Sequence, residues 1–303
     1  MRRTLVIGLV IVAAAAVAAG TVWWLFSRPP GPDATAQAFL DALEEGDGVA
    51  ALALTEEPPG PDVDRAEALA GAEEHIAEAT VEAVDSVEGG AARATVTFTL
   101  DGEEQTASFG LVEREGAWTV AADAFGLMAA TTTIGDSVSA GGVVMPAGED
   151  VALLPAAYVV AASPAGIVAG SASAMVLPGG TSEAAIEASV SPEAVDLAQE
   201  QLDAYAAACA APGDAVPAHC GLKVPWGADL ATLDAIAFRI GALPQVALAS
   251  DLTSFAATAG DVVATATGIT REGATASFTY RADDWALRGT VILTPEGMRL
   301  QVD

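Results

Sequence analysis

Asparagine is absent from the 303 residues, lysine occurs once, at Lys223, and histidine and cysteine occur twice each. Without asparagine there is no N-glycosylation sequon. No glycine-rich phosphate loop of the required spacing occurs either. Basic residues are scarce, with 12 Lys and Arg against 41 Asp and Glu and a net charge of −29. Residues 1–32 hold three arginines and no acid, which leaves −32 on the remainder against −29 for the whole chain. Such a surface repels phosphate backbones and excludes nucleic acid as a partner; its ordinary role is to keep the protein solvated and unaggregated. A hydrophobic content of 52% excludes a disordered chain despite the charge.

What is present begins with an apolar run. Leu5 to Phe26 carries no charge over 22 residues, enough to cross ~30 Å of hydrocarbon as a helix. Arg2 and Arg3 precede it, and Trp23, Trp24 and Phe26 lie at its far end, where indoles favour the membrane interface. The expectation is a retained single-pass anchor over residues 1–28, in contact with the lipid bilayer through residues 5–26. The N-terminus is then cytoplasmic and everything after Arg28 extracytoplasmic, at the cell membrane. A cleaved signal peptide ending near Ala18, Ala19 and Gly20 is the rival, but the apolar run continues past that site. Only Met1–Thr4 precede the run, so any signalling is expected to pass through an envelope protein partner.

Arg28-Pro29-Pro30-Gly31-Pro32 cannot continue a helix and reads as a stiff spacer over 29–32. Asp33 reads as an N-cap, with Ala36, Phe39, Leu40 and Leu43 at helical spacing and Gly46 as the stop. Two further short helices are expected around Val49–Leu54 and Val63–Ala70. The period then changes to two, predicting strands over Thr80–Val87, Ala94–Leu100, Thr106–Val112 and Trp118–Ala122. Turns are expected at Gly89-Gly90, Asp101-Gly102 and Glu115-Gly116. Helices followed by a hairpinned sheet predict an α+β domain over 33–127.

This order, and the phrase from Ala36 to Asp47, resembles the nuclear-transport-factor-2-like fold, in the form that follows a membrane anchor in some bacterial envelope proteins. Trp118 matches the tryptophan often found in the closing strand. The resemblance implies a cone-like curved antiparallel sheet around a cavity, which serves as an enzyme site in some relatives and as a spacer or docking module in others. Residues 128–180 are Gly-, Val- and Thr-rich and predict a small β-sandwich with strands at Val143–Met145, Val151–Leu154, Ala157–Ala162 and Ile167–Val176. Within it, Leu153-Leu154-Pro155 leading to Tyr158-Val159-Val160 is similar to the hairpin of PEGA-like surface modules.

Residues 181–303 predict a helix and a second meander. Ser191-Pro192-Glu193 is a helix start, with Val195, Ala198, Leu202, Tyr205 and Cys209 on one face. A disulfide between Cys209 and Cys220 is the default in an oxidising compartment; a zinc site adding His219 is the rival and lacks a fourth ligand. Strands follow to Val302, with Asp283-Asp284 read as a hairpin turn and residues 233–303 as a possible diverged copy of the first sheet. The fold class expected is a single-pass membrane anchor plus α+β and all-β modules.

One stretch suggests catalysis. Gly135-Asp136-Ser137-Val138-Ser139 resembles the nucleophile block of GDS-type esterases, in which Ser137 would attack a carbonyl. That family also uses an asparagine in the oxyanion hole and a histidine three residues after an aspartate; the first is missing everywhere, and Asp214 is five residues before His219. With Cys220 three residues before the only lysine, there is also no Ser-x-x-Lys pair for penicillin-binding chemistry. His75 stands alone, and acid pairs such as Glu44-Glu45, Glu56-Glu57 and Glu73-Glu74 are expected on solvated faces. The expectation is therefore no catalytic, cofactor or metal residue, and a non-enzymatic envelope protein acting as spacer, docking or binding module. The alternative is a small-ligand binder or hydrolase using the first-domain cavity.

Overall fold

The computed structural model describes residues 30–87 and 89–303. The expected anchor, with Leu5, Trp23, Trp24 and Phe26, lies outside the described residues. Among the described residues no helix is long and apolar enough to cross a membrane. The chain enters helix α1 (Pro32–Glu44) through Gly31 as N-cap rather than Asp33. Proline fixes φ at a helical value and needs no amide partner at the first position, so the helix starts two residues early. Asp33 falls in the first turn, where the helix dipole favours its charge. Helices α2 (Gly48–Ala53) and α3 (Arg65–Ala70) are capped by Asp47 and Asp64, whose carboxylates accept from Ala50 N and Glu67 N, each at 2.9 Å.

A two-residue strand β1 (Glu74–His75) leads into a four-stranded meander: β2 (Ala77–Val87), β3 (Ala91–Leu100), β4 (Glu103–Arg114) and β5 (Ala117–Val120), paired in that order. Burial alternates along β3, as a one-sided sheet requires. The β3–β4 turn is Asp101-Gly102, both with positive φ, the geometry of the turns that match strand twist. Helix α1 lies on the buried face and fills it. Phe39, Leu40, Leu43, Phe98 and Phe109 are all at most 2% exposed, and the rings of Phe39 and Phe109 meet edge to face at 5.5 Å.

Nine strands then make a small two-sheet body: β6 (Gly126–Thr132), β7 (Ser137–Ala140), β8 (Val143–Pro146), β9 (Asp150–Leu153), β10 (Ala156–Ala162), β11 (Val168–Ala169), β12 (Ser171–Val176), β13 (Thr181–Ile186) and β14 (Ser189–Val190). β10 is central to the first sheet, with β12 along one edge and β1 and β7 sharing the other, β8 completing it. The second sheet is β13-β6-β9, and β11 pairs with β14. β6 and β13 are parallel, which only a long connection permits, and here the whole of β7–β12 supplies it. Tyr158 is fully buried, and its hydroxyl donates to Leu154 O at 2.8 Å. This body is bound to the helices through β1 and through Arg65, whose Nε donates to Ala152 O at 2.8 Å.

Helix α4 (Pro192–Cys209) begins as its sequence indicates, with Ser191 Oγ accepting from Ala194 N at 3.0 Å. Its buried face is Ala194, Ala198, Leu202, Ala206 and Cys209, rotated from the expected one, and Val195 is 39% exposed. Two glutamines set that rotation. Gln199 bonds Pro244 O and Val246 N, and Gln201 bonds Met298 O and Leu300 N, all within 3.0 Å. The last sheet, β15 (Leu230–Ala242), β16 (Gln245–Leu248), β17 (Ser254–Thr270), β18 (Thr275–Thr294) and β19 (Gly297–Val302), has the order β15-β17-β18-β19 with β16 beside β17. One buried cluster runs from Ala36 in α1 to Met298 in β19.

The expected fold class, a single-pass membrane anchor plus α+β and all-β modules, is corrected by this architecture for the described residues, which do not include the anchor. Among the described residues the structure is mostly β, 52% strand against 18% helix, with its sheets forming a half-barrel. The helical opening misled because α2 and α3 are only six residues each, and stretches without strong alternation, such as β6 and β13, are strands. Tertiary pairing outweighs local pattern there.

Candidate functional site

Strands β17 and β18 form the longest hairpin of the described residues, and its geometry creates a cavity. The pairing shifts twice. Between Ala257↔Leu287 and Gly260↔Trp285 the extra residue is in β17; between Gly260↔Trp285 and Val262↔Ala282 it is in β18. The second bulge falls on Asp283-Asp284, which are both exposed, and it flips the inward set from Tyr280 and Ala282 to Trp285 and Leu287. A bulge leaves a residue unpaired and bends its strand. Asp283-Asp284 is therefore a mid-strand bulge and not the expected hairpin turn.

The segment from Ala210 to Asp229 covers this hairpin and is fastened along its length. Cys209 and Cys220 form the disulfide expected from sequence, with Cα atoms 5.6 Å apart. Trp285, 2% exposed, donates its indole N–H to Cys220 O at 2.7 Å. Tyr205 donates to His219 O at 2.9 Å. Farther along, Tyr280 donates to Asp229 Oδ2 at 2.8 Å, and the Arg271 guanidinium donates to Gly227 O and Ala228 O, each at 3.0 Å. Local desolvation, with the Asp229 contact, holds the Tyr280 phenol above its ordinary range. Gly221 has φ +61, and a Cβ there would lie 2.1 Å from Ala286 O, so only glycine lets the cover approach the strand.

Between cover and hairpin lies a cavity of about 730 Å³. Its floor is apolar, made by Val262, Ala264, Trp285 and Leu287, with Leu222 and Val224 on the cover side. Its border carries Lys223, Arg281 and Arg288 as well as Asp284 and Asp303. Arg281 Nη2 meets Asp261 Oδ2 at 2.7 Å, and that bond raises its pKa further. The other carboxylate oxygen of Asp261 is buried without a hydrogen-bond partner. Lys223 and Arg288 form no ion pair among the described residues.

The residues singled out by sequence motif are dispersed. Ser137 opens β7 opposite Pro146. The His75 ring bonds Leu69 O at 2.8 Å, and His219 occupies a left-handed turn at φ 60. Among the described residues neither histidine is hydrogen-bonded to Ser137, and no group of three metal-ligating side chains occurs. The acid pairs do structural work: Glu44 accepts from Ala79 N at 2.7 Å, Glu74 from Asp101 N at 3.1 Å, and Glu56 pairs with Arg114. On the sheet face that the fold resemblance assigns to a cone, Phe39, Leu40 and Leu43 of α1 are buried with Phe98 and Phe109.

The residues bordering the actual cavity were not among the sequence candidates. One signal was available: Lys223, Arg281 and Arg288 are three of only nine cations after residue 32. Compared with known proteins, the chain matches no family model, no curated protein and no solved structure.

Proposed function

We propose that the chain is a non-enzymatic extracytoplasmic binding module, held at the cell membrane through residues 5–26 with its N-terminus cytoplasmic. The observation that carries this is the contrast between the two kinds of place in the molecule. The cavity under the cover has apolar walls and a charged border without a nucleophile–base pair, while Ser137, His75 and His219 are scattered and engaged elsewhere. A serine without a base and a waiting donor lacks the terms that drive acyl transfer. The disulfide supports an oxidising compartment. The order of helices and meander supports a nuclear-transport-factor-2-like part whose filled sheet acts as a spacer, raising the cavity above the bilayer for a ligand or an envelope partner.

The test is made on intact cells stripped of their wall. Added protease digests residues 30–303, and carbonate washing leaves the protein in the pellet. Release of full-length protein by carbonate overturns the membrane reading. Fluorophosphonate labelling that disappears in Ser137→Ala overturns the non-enzymatic one.

A further inference from the structure

We infer that the cavity between the 210–229 cover and the β17–β18 hairpin binds a small, water-soluble organic anion, a carboxylate or phosphate on a compact apolar body. Charge placement is the first ground. After residue 32 the chain has 41 acids and nine cations, and an even spread would put fewer than one cation on this border. It carries three, Lys223, Arg281 and Arg288, against Asp284, Asp303 and the Asp261 that pairs with Arg281, a local balance of zero in a chain of −29. Two of the three have no ion-pair partner among the described residues, although acids outnumber bases several-fold. An anion entering here meets attraction that the rest of the surface does not offer.

The walls set the remainder of the ligand. Val262, Ala264, Trp285 and Leu287 give an apolar floor, and about 730 Å³ is within the range of small-molecule sites. The space is preformed. The disulfide, the Trp285–Cys220 hydrogen bond and the Tyr280–Asp229 and Arg271 contacts fix the cover at both ends, so binding orders little that is not already ordered. An inorganic anion leaves the floor unused, and a neutral apolar solute leaves the cations unused.

This rests on the binding-module reading and is tested separately from it, on the full chain in lipid nanodiscs by calorimetric titration. Phenyl phosphate and benzoate are the probes, with benzyl alcohol, inorganic phosphate and empty nanodiscs as controls. At least one probe binds saturably below about 1 mM. The Lys223→Gln/Arg288→Gln double variant, with an unchanged melting temperature, binds it about tenfold or more weakly. Whichever probe binds tighter assigns carboxylate or phosphate. No saturable binding, equal binding of benzyl alcohol or inorganic phosphate, or full affinity in the double variant overturns the inference. Failure of export would leave this titration as it is, and failure here leaves the membrane test standing.

Discussion

Arg65 shows how a single residue settles the geometry between two parts of the chain. It is 6% exposed and donates to four carbonyls: Ala152 at 2.8 Å, Pro61 at 2.7 Å, Val63 at 3.2 Å and Pro59 at 3.3 Å. Desolvation lowers its pKa, and Asp62 partly offsets that. Arg65→Met keeps the stem and strands the carbonyls, so a loss of about 3 kcal/mol is expected in urea melts. Arg65→Lys recovers only part, because an ammonium lacks the planar fork. Tyr158 gives the pH counterpart. Burial raises its phenol well above the ordinary range. The folded state therefore holds the proton more tightly than the unfolded chain. The stabilisation is complete below the unfolded value of about 10, and it is lost as pH climbs from there toward the folded pKa. Stability should fall by up to about 1.4 kcal/mol per pH unit above pH 10 from this group. Urea melts at pH 9 and pH 11 check it: in Tyr158→Phe that part of the decline disappears, and an equal decline in both proteins refutes the assignment.

At the scale of elements, legibility followed the strength of the local signal. The β2–β5 meander and its turns could be read because Ala94, Val96, Phe98 and Leu100 alternate and Asp101-Gly102 has the chemistry of a tight turn. The sandwich strand Ala156–Ala162 was readable from the same alternation. What could not be read depends on distant partners. Asp283-Asp284 has turn chemistry, but the register of β17 makes it a bulge. The α4 face is turned by Gln199 and Gln201, which look like surface residues in one dimension. The cavity escaped because its border joins residues 221–225 to 280–288, far apart in the chain. Close packing of elements gives a further test. A Cβ on Gly141 would lie 2.0 Å from Ala68 O in α3, and its φ of +55 already disfavours other residues. Gly141→Ala should cost about 1–3 kcal/mol in urea melts, whereas Gly142→Ala meets nothing within 4 Å and bears only the backbone cost of its φ of +84. Equal losses would show that packing against α3 is not the cause.

For the whole molecule the distribution of buried residues predicts where it opens. The main cluster ties α1, the two-sheet body and Met298 into one unit. The distal ends of β15, β17 and β18 rest on a separate cluster of four buried residues, Leu230, Ile236, Ala264 and Ala266, under the cover. Few buried apolar groups mean a small free energy of local opening. The cover keeps its place through the disulfide, which closes a short loop and restricts the open ensemble by about 2–3 kcal/mol on a chain-entropy model. Reduction should therefore act locally. In hydrogen exchange on the full chain, amides of residues 262–270 and 275–282 should lose protection by about tenfold or more on reduction, while β3 and β10 keep theirs. The loss should follow the cover and not the thiols, so the doubly substituted Cys209→Ala/Cys220→Ala protein should match the reduced one. A uniform loss through β3 and β10 would mean that the hairpin and the body unfold together. The separation of the buried clusters would then have no energetic counterpart.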